Sequence, residues 1–268
     1  MRRFLTGTML LTAMWLTAPL AAQELLVGGT GAALGAMQRL ATAFAAAHSD
    51  TVPVVLPSMG SSGGIKAVLA GAIAVAVSGR PPKPAETAAG ATAVPLGRTP
   101  FVIAVNPTVP VEALTSRELA DLFSGRTGRW PDGTPARPVL RPQGDSDMVS
   151  LQEMGPEMAS ALEQAARRGG LHIAMTDQEC ADHIASIPGA FGSSTLSLIV
   201  AEGRPIRPMT LDGRAPTVSA LAAGTYPYVR ELWLVTGPSA DAGAAAFVAF
   251  AHSTTGRAVL ADAGILAR

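Results

Sequence analysis

The sequence contains a single cysteine, Cys180, in 268 residues. No disulfide can form within the chain, so its fold has to stand on buried apolar surface. Aromatic residues are scarce at 4% and charged residues at 15%, against a hydrophobic content of 48%. A core of this kind is built from Ala, Val, Leu and Ile, which suits parallel strands covered by helices. Neither sign of charge predominates, with 20 basic and 20 acidic residues. A chain this close to neutral is a poor partner for nucleic acid or for an anionic membrane surface. If it binds an anion, it must use directed hydrogen bonds rather than a positive field. Heptads and internal repeats are missing. His172, Cys180 and His183 do not fall into a zinc-binding spacing; a buried structural cysteine beside solvent-facing histidines fits them better, and no metal or other cofactor is expected.

Long apolar runs are also missing beyond the N-terminus. There, Arg2-Arg3 precedes an uncharged stretch from Phe4 to Leu20, and Ala21-Ala22 leads into Gln23-Glu24. A basic start, an apolar middle and small residues at the exit predict a cleaved signal peptide over 1–22 and a periplasmic mature protein. The competing reading, a membrane anchor, would sit near the lower limit of about 20 residues for a span. Leu20 at the third position before the cut leaves the cleavage site open by a few residues. Removing Arg2 and Arg3 leaves 18 basic against 20 acidic groups, so the mature chain is weakly acidic.

Residues 23–268 alternate short β-rich apolar runs with amphipathic helical stretches, the pattern of an α/β fold with a mainly parallel sheet. Strands are expected at Glu24–Val27, Val52–Leu56, Ile73–Val77, Phe101–Val105, Pro138–Arg141, Leu171–Ala174 and Arg230–Val235. Leu34, Met37, Leu40, Ala41 and Phe44 share one face of a predicted helix reaching Ala47. Further helices are expected at Ile65–Ala70, from Met148, at Pro156–Arg168 and, closing the chain, at Ala240–His252. Thr115-Ser116-Arg117-Glu118 is a capping box, opening a helix that Gly125 stops. Pro82 to Thr99, rich in Pro, Ala and Thr, reads as a surface connection.

Three loops share one design: Gly28 to Gly31, Gly60 to Gly64, and Gly144 to Asp147. Each follows a strand and runs into a helix start, where unpaired backbone N–H groups and a partial positive charge suit an anion. Thr30, Ser61 and Ser62 add hydroxyl donors. In any one loop, Ser and Thr could simply cap and Gly simply turn. Three together, joined by an arginine at a strand end, favour a binding site at the carboxyl ends of the strands.

The run Gly60-Ser61-Ser62-Gly63-Gly64-Ile65-Lys66 resembles the Gly-Ser-Ser-Gly-Gly stretch of the phosphate-binding proteins of ABC transporters. Phe123-Ser124-Gly125 with Trp130, Arg141 with Gly144-Asp145-Ser146, Pro188-Gly189-Ala190-Phe191-Gly192 and Tyr226-Pro227-Tyr228 follow in the family's order. The resemblance implies a type II periplasmic-binding-protein fold: two α/β lobes, 23–98 plus 231–268 and 99–230, joined by crossings near Arg98–Val102 and Tyr226–Arg230. It implies a monomeric solute-binding protein, not an enzyme, that captures phosphate or a similar small oxyanion for an ABC permease in the inner membrane. Thr30, Gly31, Ser61, Ser62, Ser78 and Arg80 would serve from the first lobe. Arg141, Asp145 and Ser146 would serve from the second, with Arg141 gripping the anion. Two departures bear on the ligand. Ser78-Gly79-Arg80 stands where the family carries an Asp that accepts the phosphate proton, and Asp145-Ser146-Asp147 replaces Ser-Gly-Thr. Either acidic residue could restore the acceptor, or both could cap the next helix. Another oxyanion, an organic phosphate, or a periplasmic phosphohydrolase or sensor on the same fold are the competing readings. Against hydrolysis, no His/Asp metal cluster stands in the sequence and Ser61 has no evident base.

Overall fold

The structure is a computed structural model that describes residues 23–268; the expected signal peptide lies outside the described residues. The chain runs β1 (Gln23–Gly29), α1 (Leu34–Ala47), β2 (Thr51–Val55), α2 (Gly60–Leu69), β3 (Val75–Ser78), α3 (Pro84–Ala88) and β4 (Thr92–Val105). It continues through β5 (Ala113–Leu114), α4 (Ser116–Ser124), β6 (Arg137–Leu140), α5 (Ser146–Gln152), α6 (Pro156–Ala166), β7 (His172–Ile173), α7 (Asp177–Ser186) and β8 (Ala190–Thr195). The remainder is α8 (Leu196–Glu202), β9 (Arg207–Pro208), β10 (Thr210–Leu211), α9 (Val218–Ala222), β11 (Val229–Thr236), α10 (Ala242–Ala251), α11 (Thr254–Asp262) and β12 (Leu266–Ala267).

The strand order β2-β1-β3-β11-β4-β8-β6-β7 is parallel toward both edges and antiparallel at the centre. The expectation of a mainly parallel sheet therefore holds only outside the middle. There β4 and β11 run in opposite directions, because one carries the chain out of the first lobe and the other brings it back. The first half of β4 pairs with β11, and its second half, Phe101 to Val105, pairs with β8. Thr99 to Phe101 is thus the point where one sheet becomes the next.

Alternation along β4 explains why both of its faces are buried. Phe101, Ile103 and Val105 enter a core with Leu119, Phe123, Trp130 and Phe191, while Val102 and Ala104 enter another with Val139, Cys180 and Ile184. In the first lobe, α1 lays Met37, Leu40 and Phe44 against β1, β3 and α10. The opposite face of that sheet packs Ile65 and Val68 of α2 on Ile73 and Val235. The capping box forms as expected, with Glu118 N–H donating to Thr115 Oγ1 at 3.2 Å and Thr115 N–H to Glu118 Oε2 at 2.7 Å.

The connection expected over 82–99 is instead α3 followed by the long β4, which begins at Thr92. Pro95 hid this strand. It pairs with Trp233 beside a register shift at Leu232/Trp233, an irregularity that tolerates a residue without an N–H. The structure also adds α7, α9, and α11 with β12 after the closing helix, none of them anticipated.

Candidate functional site

A cleft of roughly 520 Å³ opens where the loops of the two lobes face each other across β11. Thr30, the start of α2 and the β3–α3 turn form one wall. Arg141 at the end of β6, the start of α5 and Asp177 form the other, with Val229 to Glu231 at the base. The first wall depends on close backbone approach. A methyl on Gly64 would come within 2.8 Å of Gly29 Cα, so only glycine lets α2 lie directly on β1. This places the first-turn N–H groups of a ten-residue helix, which lack intrahelical acceptors, at the cleft.

The expected residues divide into two groups. Thr30, Ser61, Ser62, Arg80, Arg141, Asp145 and Ser146 line the cleft together. Ser78 and Gly31 do not. Ser78 is fully buried and its hydroxyl donates to Arg80 O at 2.6 Å, so it holds the turn. Gly31 is buried beneath Asp177 and Gln178. Thr30 is 4% exposed, and its hydroxyl does not cap the turn that follows, leaving it free toward the cleft. Ser61 Oγ accepts from Gly79 N–H at 2.9 Å and keeps its own proton to donate.

Four arginines and lysines reach the cleft, but carboxylates hold three of them. Arg80 sits fork-to-fork on Glu86 at 2.7 and 2.8 Å and also donates to Ser62 Oγ. The hydrogen bonds from Arg80 depress the Glu86 pKa to about 2. Arg141, 6% exposed, donates to Ala174 O and to Asp145 Oδ2, both at 3.0 Å. Asp145 also caps α5 by accepting from Asp147 N–H at 2.9 Å, so the capping reading of this residue holds while it binds Arg141 as well. Burial disfavours the Arg141 charge, yet Asp177, Asp145 and Asp147 outweigh it and keep its pKa above the ordinary guanidinium value. Lys83 completes the set at the rim.

Sequence reading missed Arg230, Asp147 as its partner, and Asp177. In the sequence Arg230 reads only as the opening residue of an apolar strand. It is 5% exposed, donates to Asp147 Oδ1 at 2.6 Å and lies 5.2 Å from the Phe101 ring centre. Its signal was an arginine between Tyr-Pro-Tyr and an apolar run, where solvent-facing charge is out of place. Asp177 is the first residue of α7, a helix overlooked although Thr176 and Glu179 mark its start. Burial, reinforced by Asp147 and opposed by Arg141, pushes the Asp177 pKa up to about 7.

The other motif landmarks serve packing and the crossing between the lobes. Trp130 Nε1 donates to Gly189 O at 2.9 Å, and its ring meets Phe191 edge-on. Tyr226 OH donates to Phe101 O at 2.8 Å, pinning the crossing. Among the described residues, no three His, Cys, Asp or Glu side chains group as a metal site.

A family model described as a PBP superfamily domain matches residues 17–255. Solved structures share the fold at low identity. A putative phosphate ABC transporter substrate-binding protein with bound phosphate from Clostridium perfringens is 20% identical, with a TM-score of 0.78 over 92% of this chain and 100% of that one. A phosphate-binding protein from Stenotrophomonas maltophilia is 14% identical, with a TM-score of 0.66 over 91% and 90% of the two chains. The LysR-family transcriptional regulator CbnR is also 14% identical, with a TM-score of 0.54, and 70% of its length is covered. At these identities the likeness is one of fold. No curated protein matches the chain in sequence.

Proposed function

The chain belongs to the PBP superfamily, and from that premise we propose that it is a periplasmic solute-binding protein that captures phosphate or a similar small oxyanion between its lobes for an ABC-type importer. One observation carries this reading: the start of α2, the free Thr30 hydroxyl and the buried Arg141 converge on a single inter-lobe cleft. Backbone N–H groups at a helix start and a buried guanidinium are complementary to a compact oxyanion, and both are held in place before it arrives. A regulator shares the fold, so the fold alone does not choose the ligand; the donor set does. Capture of this kind breaks no bond in the ligand. The basic, apolar and small-residue pattern over 1–22 supports export, and Gly79 and Arg80 at the end of β3 leave the oxyanion's identity to other residues.

The test is thermal unfolding and calorimetric titration of the purified protein with phosphate, arsenate, sulfate, molybdate and simple phosphate esters. A ligand at about 100 times its Kd should stabilise the native state by about 2.7 kcal/mol. Stoichiometric binding of at least one inorganic oxyanion is the expected result. No stabilisation by any of them overturns the reading.

A further inference from the structure

Asp177 is set apart from the other acidic groups of the cleft. Asp145 is bound by Arg141 and Asp147 by Arg230, but no hydrogen bond reaches the Asp177 carboxylate among the described residues. It is nonetheless only 9% exposed and lines the cleft. Its position is fixed from the far side. A methyl on Gly31 would stand 2.6 Å from Asp177 Oδ2, so the second lobe's carboxylate rests against the first lobe's backbone. Next to it, Gln178 Nε2 donates to Gly31 O at 3.1 Å and to Glu202 Oε1 at 2.8 Å, fastening α7 across the gap. The charged and titratable groups around Asp177 are Arg141 from β6, Asp145 and Asp147 from α5, Arg230 from β11 and, one turn along α7, Cys180.

An oxyanion gripped by Arg141 in this cleft meets an unpaired carboxylate on the same wall. Two anionic oxygens cannot share a hydrogen bond without a proton between them, and in a desolvated site their repulsion is not screened. We infer that Asp177 is the specificity-determining residue of the cleft, selecting oxyanions that carry their own proton, such as hydrogen phosphate or hydrogen arsenate, over fully ionised ones such as sulfate. The inference rests on the anion-binding reading above. It also supplies the acceptor absent from the end of β3, from the opposite lobe. A protonated ligand donates its proton to Asp177 Oδ. Sulfate has none to give, so the carboxyl must first take one from solvent. Because burial pushes the Asp177 pKa up to about 7, that uptake becomes costly just above neutrality.

The experiment is calorimetric titration of the purified protein with phosphate and with sulfate from about pH 6 to about pH 9, in buffers of different ionisation enthalpy so that protons can be counted. Sulfate should bind with uptake of about one proton above neutrality and weaken by about tenfold per pH unit there. Phosphate, compared only where it is mainly hydrogen phosphate, should take up almost none and change by less than about threefold. Asp177→Asn should abolish the sulfate proton uptake and its pH slope. The proton count on the unaltered protein decides the matter even if that variant fails to fold. Sulfate binding without proton uptake, uptake that survives in Asp177→Asn, or sulfate failing to bind even at about pH 6 while phosphate binds would each overturn the role of Asp177 alone. Binding of neither anion would overturn the site reading and this inference with it.

Discussion

The most demanding consequence of this cleft concerns the pair Arg230–Asp147. Their side chains are 6% and 2% exposed and meet at 2.6 Å. Both were removed from water, and each is tolerable only because the other is present. Arg230 Nε has no partner among the described residues, so the guanidinium leans on Asp147 and the Phe101 ring. Replacing Arg230 with Met leaves Asp147 as an uncompensated buried charge, facing Asp177 with one fewer cation nearby. Breaking a buried pair in this way costs about 3–5 kcal/mol. At about 2–4 °C per kcal/mol for a chain of this size, Tm should fall by roughly 10 °C. Replacing both members, as Arg230→Met with Asp147→Leu, removes both desolvation costs and should return stability to within about 1 kcal/mol of the starting protein. Urea unfolding of the ligand-free protein, Arg230→Met, Asp147→Leu and the double variant completes a double-mutant cycle. A single Arg230→Met loss below about 1 kcal/mol would mean that Asp147 is rehydrated at little cost. A double variant no better than the single one would show that the pair is needed for more than mutual neutralisation. Either result refutes the reasoning.

Arg141→Ala should lose more oxyanion affinity than Arg80→Ala, because Arg80 is partly exposed at the rim with both Glu86 oxygens on its fork, whereas Arg141 is buried in the cleft wall; each charge-assisted bond lost from Arg141 is worth about 1.5–3 kcal/mol, and calorimetry on both variants ranks them. Asp177→Asn should stabilise the ligand-free protein in a pH-dependent way. A carboxyl raised from 3.8 to about 7 binds its proton more tightly when folded, so its contribution is greatest below about pH 4, falls as pH rises and is fully lost above about 7. Unfolding at about pH 8 should therefore favour the Asn variant by up to about 4 kcal/mol, at about 1.4 kcal/mol for each pH unit by which the carboxyl's pKa is raised, with no gain at about pH 4. Mass spectrometry of a periplasmic fraction should find a chain starting near Gln23; a soluble protein retaining Met1 would count against export.

Sequence legibility followed local chemistry. The Thr115 capping box and the α1 face were readable because neighbours a few residues apart create them, whereas α2 begins at Gly60, inside the stretch expected as a loop ahead of a helix at Ile65–Ala70, because packing of Gly64 on β1 overrides the low helix propensity of Gly and Ser. Arg80 and Arg141 were found because each follows a strand in a recognisable loop. Arg230 and Asp177 were not, since their significance comes from partners 83 residues away in one case and from burial against Gly31 in the other. The same holds for β4. Its first half owes its strand conformation to β11 and β12, not to any alternation strong enough to outweigh Pro95. Ser78 shows the opposite failure. A hydroxyl in the right place along the chain turned inward to hold the Arg80 carbonyl instead of facing the cleft.

The crossing at β4 and β11 has a topological consequence. Pro100 and Val229 are antiparallel neighbours, and Phe101 N–H donates to Tyr228 O at 3.0 Å, so the intervening segment leaves and re-enters the first lobe through a single rung of the ladder. It is in effect a long insertion across the mouth of a hairpin. Excising Phe101 to Tyr228 and joining Pro100 to Val229 with a two-residue type I′ turn such as Asn-Gly would make β4 and β11 an ordinary hairpin. The resulting miniature would keep the α2 start, Thr30 and Arg230, stripped of Asp147. The excised segment, its ends one strand spacing apart, would be a graftable module carrying Arg141 and Asp177.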